Sequence, residues 1–178
     1  MNQHYTRTAV VLHWLVAVGL CGTFALGFYM HDLPLSPSKL QFYSWHKWAG
    51  VSLFMLVLVR LAWRLSHPAP RLPDMHPAMH FLAHAAHVLL YVLMVAIPLS
   101  GWLMSSAQGF QVVWFGIVPL PDLVDKNAAL GGFLKDAHGI LNYMFLAAVI
   151  AHIGAALKHH FIDHDAVLAR MVPALRKS

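Results

Sequence analysis

Glutamate is absent from this chain, and charge of either sign is scarce. Asp, Lys and Arg make up 11% of the 178 residues, against 59% that are hydrophobic. So few charges cannot cover the surface of a soluble domain of this size, which points to an integral membrane protein. The single cysteine, Cys21, lies in an apolar run and excludes an intrachain disulfide. No C-x-x-C-H occurs, which excludes the usual covalent attachment of a c-type haem. The N-terminus lacks a signal-peptide pattern, so the first apolar run is expected to remain as a span. The formal charge is +5, but no basic stripe with interleaved aromatics is present, and nucleic acid is not expected as a partner. With no internal repeat or low-complexity tract, residues 1–178 are expected to form one domain.

What the chain does contain is four apolar segments, at about 10–30, 45–63, 81–104 and 138–161, each near the ~20 residues that a spanning helix needs. They predict an all-α, integral membrane four-helix bundle with up-down-up-down topology and membrane lipid as its surroundings. The turn HDLPLSPSK is short enough to join antiparallel neighbours, and HPAPRLPDMHP is too rich in proline for a regular helix. Pro98 falls inside the third segment, where a kink is expected. The longest loop follows it. Its aromatic first half is expected on the protein or membrane surface, and its second half as a short helix before the fourth span. If the termini and the second loop share one side, that side holds Arg7, Arg60, Arg64, Arg71, Lys158, Arg170, Arg176 and Lys177. The other side holds only Lys39, Lys47, Lys126 and Lys135, so both termini are expected to be cytoplasmic.

Fourteen histidines in so short a chain need an explanation. His138 and His152 lie fourteen residues apart in the fourth segment. At about 100° and about 1.5 Å per residue they share one helix face and stand roughly 21 Å apart. Satisfied histidines in helix–helix hydrogen bonds are the plain alternative for that helix alone. Given the topology, His46 falls at the outer depth with His138, and His13 at the inner depth with His152. Two layers result, each with one imidazole from the fourth helix and one from another. Two non-covalent bis-histidine b haems require this arrangement. Gly50, one turn below His46, leaves room for a flat macrocycle. Arg60 lies fourteen residues after His46 and is placed to pair with a propionate, unless it and Arg64 are simply flanking charge. His80, His84 and His87 share one face of the third segment, and His84 and His87 also reach the inner depth. A propionate or quinone contact, helix packing and iron ligation all stay open for those two.

HWL early in the first helix, H-x-x-x-G at the head of the second, FLAHAAHVLLYVLM with Pro98 in the third, and LKDAH…AH…HHF in the fourth together resemble the small bacterial cytochrome b561 family. The resemblance covers nearly the whole chain. It implies a diheme b cytochrome of the bacterial inner membrane. His13 and His152 would ligate the cytoplasmic-side haem, and His46 and His138 the periplasmic-side one. His159, of the paired His159–His160, is by the same resemblance a quinone-site candidate, with interfacial snorkelling as the alternative. The activity it implies is electron transfer from superoxide to ubiquinone. Lys135, one turn before His138 and matching a lysine in the family pattern, is the candidate for attracting the anion, with Lys47 second. Asp32, Asp122, Asp125 and Asp136 cancel the net charge of that side.

Two other functions compete. One is a cytochrome b anchor subunit that passes electrons between a periplasmic partner enzyme and the quinone pool, although the tails are short and no docking domain is visible. The other is a haem-free, histidine-lined metal transporter. It fits poorly, because matched pairs do not form a graded path and acids within the spans are missing.

Overall fold

The chain's four long helices are α1 (Arg7–His31), α2 (Pro37–Ser66), α3 (Pro77–Ala107) and α4 (Ala128–Phe161) in a computed structural model, which describes residues 5–70 and 76–175. All four are long and apolar enough to cross a membrane. Successive helices run in opposite directions, so α1 begins and α4 finishes at one end, called near below, and the opposite end is far. A two-stranded antiparallel hairpin, β1 (Val113–Trp114) and β2 (Val118–Pro119), sits in the α3–α4 loop, and a short α5 (Val167–Met171) follows α4. Arg71, Arg176 and Lys177, counted above for charge, lie outside the described residues.

All four helices start before the apolar pattern predicts, α2 and α4 by eight and ten residues, and each of these two has a capping residue at its true start. Ser36 accepts from Lys39 N at 3.2 Å, with Pro37 as the first helical residue, so α2 opens eight residues before Trp45. Asn127 accepts from Leu130 N at 3.0 Å, and its own N–H donates to the Ala107 carbonyl at 2.8 Å. That bond ties the head of α4 to the end of α3. A Cβ at Gly131 would lie 3.0 Å from Gln108 Cγ, so glycine lets the two elements close up there. The expected separate short helix is therefore the first part of α4. At about 1.5 Å per residue, α4 is roughly 51 Å long and extends beyond a hydrocarbon core of about 30 Å. The α3 helix runs through Pro98 without ending.

From the middle of the bundle toward its near end, Val16, Val57, Leu90, Leu93, Met94 and Phe145 form the buried core. Phe145 stands seven residues from both His138 and His152, so the apolar plug lies between the two histidine levels. At the near end, α5 folds back to α1, where Trp14 Nε1 donates to the Met171 carbonyl at 2.8 Å.

Candidate functional site

Each long helix carries a pair of residues fourteen positions apart, one at each level. The pairs are His13 and Gly27 on α1, His46 and Arg60 on α2, His87 and Gly101 on α3, and His138 and His152 on α4. The interval is close to four helical turns and returns each helix to nearly the same face.

At the near level the His13 and His152 rings stand 6.4 Å apart, centre to centre, tilted by 56°. The His87 ring meets His152 edge-on at 5.4 Å. Arg60 Nη2 donates to His13 Nδ1 at 3.0 Å, and its guanidinium lies 5.1 Å from the Tyr91 ring centre. Arg60 is thus turned into the cluster and is more than a flanking charge. His87 Nδ1 donates to the Ala83 carbonyl at 2.6 Å, which leaves Nε2 with its lone pair. His84 is exposed and has no described hydrogen bond or ring contact, so only His87 of that pair joins the cluster.

The far level rests on two glycines that the sequence reading missed. A Cβ at Gly27 would come within 3.2 Å of His46 Cε1, and one at Gly101 within 3.2 Å of His138 Cε1. Each imidazole therefore lies directly on a neighbouring helix backbone. The available signal was the fourteen-residue interval itself, since Gly27 follows His13 and Gly101 follows His87 by that step. His138 Nδ1 donates to the Ile97 carbonyl at 3.1 Å and lies 2.9 Å from Ser100 Oγ. The Ser100 hydroxyl in turn donates to Ile97 O at 2.7 Å. This arrangement fixes the proton on Nδ1 and turns Nε2 free, the orientation that a metal-ligating histidine takes. The His46 ring lies by the Thr23 carbonyl, yet its buried Nδ1 has no hydrogen-bond partner among the described residues. A Cβ at Gly50 would meet nothing within 4 Å, so the space beside it is open.

Outside the two levels the expected residues separate. Lys135 is exposed on α4 and forms no described ion pair. Lys47 instead donates to the Phe110 carbonyl at 3.3 Å and lies over the Phe110 ring, so it is engaged by the far loop. His159 Nδ1 lies 2.6 Å from Asp165 Oδ2 and 3.3 Å from Asp163 Oδ2. Lys158 Nζ contacts both oxygens of Asp163, at 2.8 and 2.6 Å. Its hydrogen bond holds the Asp163 carboxyl below the usual carboxylate range. His159, Asp163 and Asp165 have the spacing of a cation site, but Lys158 already brings a positive charge to them.

Four membrane-length helices with histidines at two levels, paired ring to ring at the near one, define a membrane-spanning helical bundle with a histidine-lined interior. The family model for prokaryotic cytochrome b561 matches residues 4–174, and the chain belongs to that family. It is accordingly a multi-pass bacterial membrane protein and a b-type cytochrome. It is 34% identical to cytochrome b561 homolog 2 of Escherichia coli (strain K12), over 96% of this chain and 92% of that protein. It is 28% identical to the probable superoxide oxidase CybB of Yersinia pestis, over 99% of both. Cytochrome b561 homolog 1 of Escherichia coli (strain K12) is also 28% identical, over 97% of this chain and 98% of that protein.

Proposed function

We propose that the chain is a diheme electron carrier of the bacterial inner membrane, with both termini cytoplasmic, that passes electrons from periplasmic superoxide to ubiquinone. The observation that carries the haem reading, at the near level, is the pairing of the His13 and His152 rings with 6.4 Å between their centres. His13 and His152 face one another from different helices, and such a pair would hold a b haem without covalent attachment. The free Nε2 of His138 and the open space beside Gly50 support a second site at the far level.

In this reading His13 and His152 hold the near haem, and His46 and His138 the far one. Bound haem supplies one-electron exchange on each side of the apolar plug. The residues of the chain do the rest. Ser100 and the Ile97 carbonyl hold the tautomer of His138. Phe145 and its neighbours keep water out of the space between the levels. Exposed Lys135 attracts the anion at the far surface. At the near surface, His87 and His159 are the proposed hydrogen-bonding groups for the quinone, and Arg60 the partner of a propionate. Each superoxide gives up one electron and leaves as dioxygen. The quinone takes up two electrons and two protons and leaves as quinol. The name of the Yersinia pestis relative supports this donor.

Oxidised and dithionite-reduced spectra with haem quantification test the cofactor, and superoxide-driven reduction of ubiquinone in proteoliposomes tests the activity. Two b haems per chain and quinol formation are expected. One haem per chain overturns the diheme reading. Two haems that superoxide leaves oxidised, but that a periplasmic protein donor reduces, would establish the anchor-subunit reading in its place.

A further inference from the structure

The hairpin β1–β2 is fastened to the side of α2 at membrane depth. Trp48 Nε1 donates to the Val113 carbonyl at 2.7 Å, and Trp114 Nε1 donates to Ser52 Oγ at 3.2 Å. The Trp48 ring also meets Phe115 at 5.5 Å. Ser52 lies six residues beyond His46 on the way into the bundle, about 9 Å deeper along the helix axis. The two histidine levels are themselves about 21 Å apart. A hydrocarbon core of about 30 Å centred on them extends roughly 4–5 Å past each level. The Trp114 side chain therefore reaches an acceptor inside the apolar zone.

The composition of the segment fits the edge of that zone. Residues 109–121, GFQVVWFGIVPLP, carry no charge, and their one polar side chain, Gln111, donates to the Leu120 carbonyl at 3.1 Å. Phe115 and Ile117 at the tip are 54% and 79% exposed, which places large apolar surface on the outside of the hairpin. Open-edged backbone is excluded from the hydrocarbon itself, but the headgroup boundary, where water is within reach, accepts it with aromatic and apolar side chains. The N–H groups of Gly116, Ile117 and Leu120 bond to Val113, Trp114 and Val112 carbonyls, Val118 lies in the ladder opposite Trp114, and Pro119 and Pro121 have no N–H. Phe115 and Gly116 at the bend have positive φ, 51° and 71°, so the turn is sharp enough to keep the tip narrow.

We propose that the β1–β2 hairpin is a lipid-contacting wedge whose Phe115–Ile117 tip is bedded at the headgroup–acyl boundary of the far leaflet. The Trp48, Trp114 and Phe115 rings form its aromatic seat against α2. This inference needs only the membrane-spanning fold and stands whether or not superoxide is the donor.

Spin labels at I117C and V118C, each in a C21S background, test it in holoprotein reconstituted into phosphatidylethanolamine–phosphatidylglycerol vesicles. Collision with dissolved oxygen and with a water-soluble nickel chelate is compared with V18C, on the lipid face of α1, and with D122C in the far loop. Preserved haem spectra report that each variant is folded. The oxygen-to-nickel collision ratio at both hairpin sites is expected to exceed D122C several-fold and to lie below V18C, which is deeper in the same membrane. A ratio like that of D122C overturns the proposal, because the tip is then in water. Protection from both reagents also overturns it, because a second copy of the chain then covers the tip.

Discussion

Arg60 donates a hydrogen bond to Nδ1 of His13 at 3.0 Å. A guanidinium only donates, so His13 Nδ1 is the acceptor here, and the proton of its neutral ring sits on Nε2. An iron bound at Nε2 needs the opposite tautomer, with the proton on Nδ1. Ligation by His13 and this hydrogen bond therefore exclude one another. The proposed propionate gives Arg60 another partner within the same level.

If Arg60 moves to a propionate, its positive charge stabilises the reduced near haem. Arg60→Met should lower the near-haem midpoint potential by roughly 30–60 mV, at most about a tenfold change in the one-electron equilibrium. Haem content should stay at two per chain. A spectroelectrochemical titration reads both quantities. An unchanged potential would leave Arg60 as a packing residue on His13 and Tyr91.

Loss of one axial ligand should remove one haem and spare the other. His138→Ala should abolish the far haem and His152→Ala the near one, each leaving about half of the haem by pyridine quantification. Loss of the near haem in His87→Ala, with His13→Ala still loaded, would transfer the ligand role to His87. Its free Nε2 makes that exchange chemically available.

Gly101 and Gly27 should tolerate no large side chain while the far histidines keep their positions. A Cβ at Gly101 already reaches 3.2 Å from the His138 ring, and the extra methyls of valine press further into it. Overpacking of this kind costs typically about 1–3 kcal/mol. Gly101→Val should reduce far-haem content and leave the near haem spectrum intact. Gly132→Ala, at the head of α4 where a Cβ also meets nothing within 4 Å, is the control and should change neither.

Superoxide encounter at the far surface should depend on charge and salt. Exposed charges are screened over a Debye length of about 8 Å at physiological ionic strength. In stopped-flow experiments, Lys135→Glu should slow haem reduction several-fold at low salt, with a smaller difference at high salt and unchanged haem content. Equal rates for both proteins at both salt concentrations would remove Lys135 from the encounter. Lys47 is the weaker steering group, because it is already bonded to the Phe110 carbonyl.

Reporter fusions after Ser178 test the orientation on which the near and far assignments to cytoplasm and periplasm depend. A cytoplasm-active reporter should be on and a periplasm-active phosphatase off. The reverse pattern would exchange the two surfaces and place Lys135 and the hairpin on the cytoplasmic side.

The sequence by itself determined the four spans and the repeated interval of fourteen residues. Both follow from local rules: hydropathy over about twenty residues, and a helix that returns to the same face after about four turns. It left the starts of α2 and α4 unread, because α2 opens on a polar first turn after Ser36, and the first turns of α4 after Asn127 are cut off from its apolar span by Lys135 and Asp136. Only the tertiary structure decided which side chains meet. It brought His87 and left out His84, turned Arg60 onto His13, and set His46 and His138 on the backbones at Gly27 and Gly101. It also laid a hairpin along α2 where the sequence showed only an aromatic loop. Spacing along one helix fixes depth and face relative to that helix alone. Contact depends on how each helix is rotated and how closely its neighbours approach, and those are settled by packing across the whole bundle.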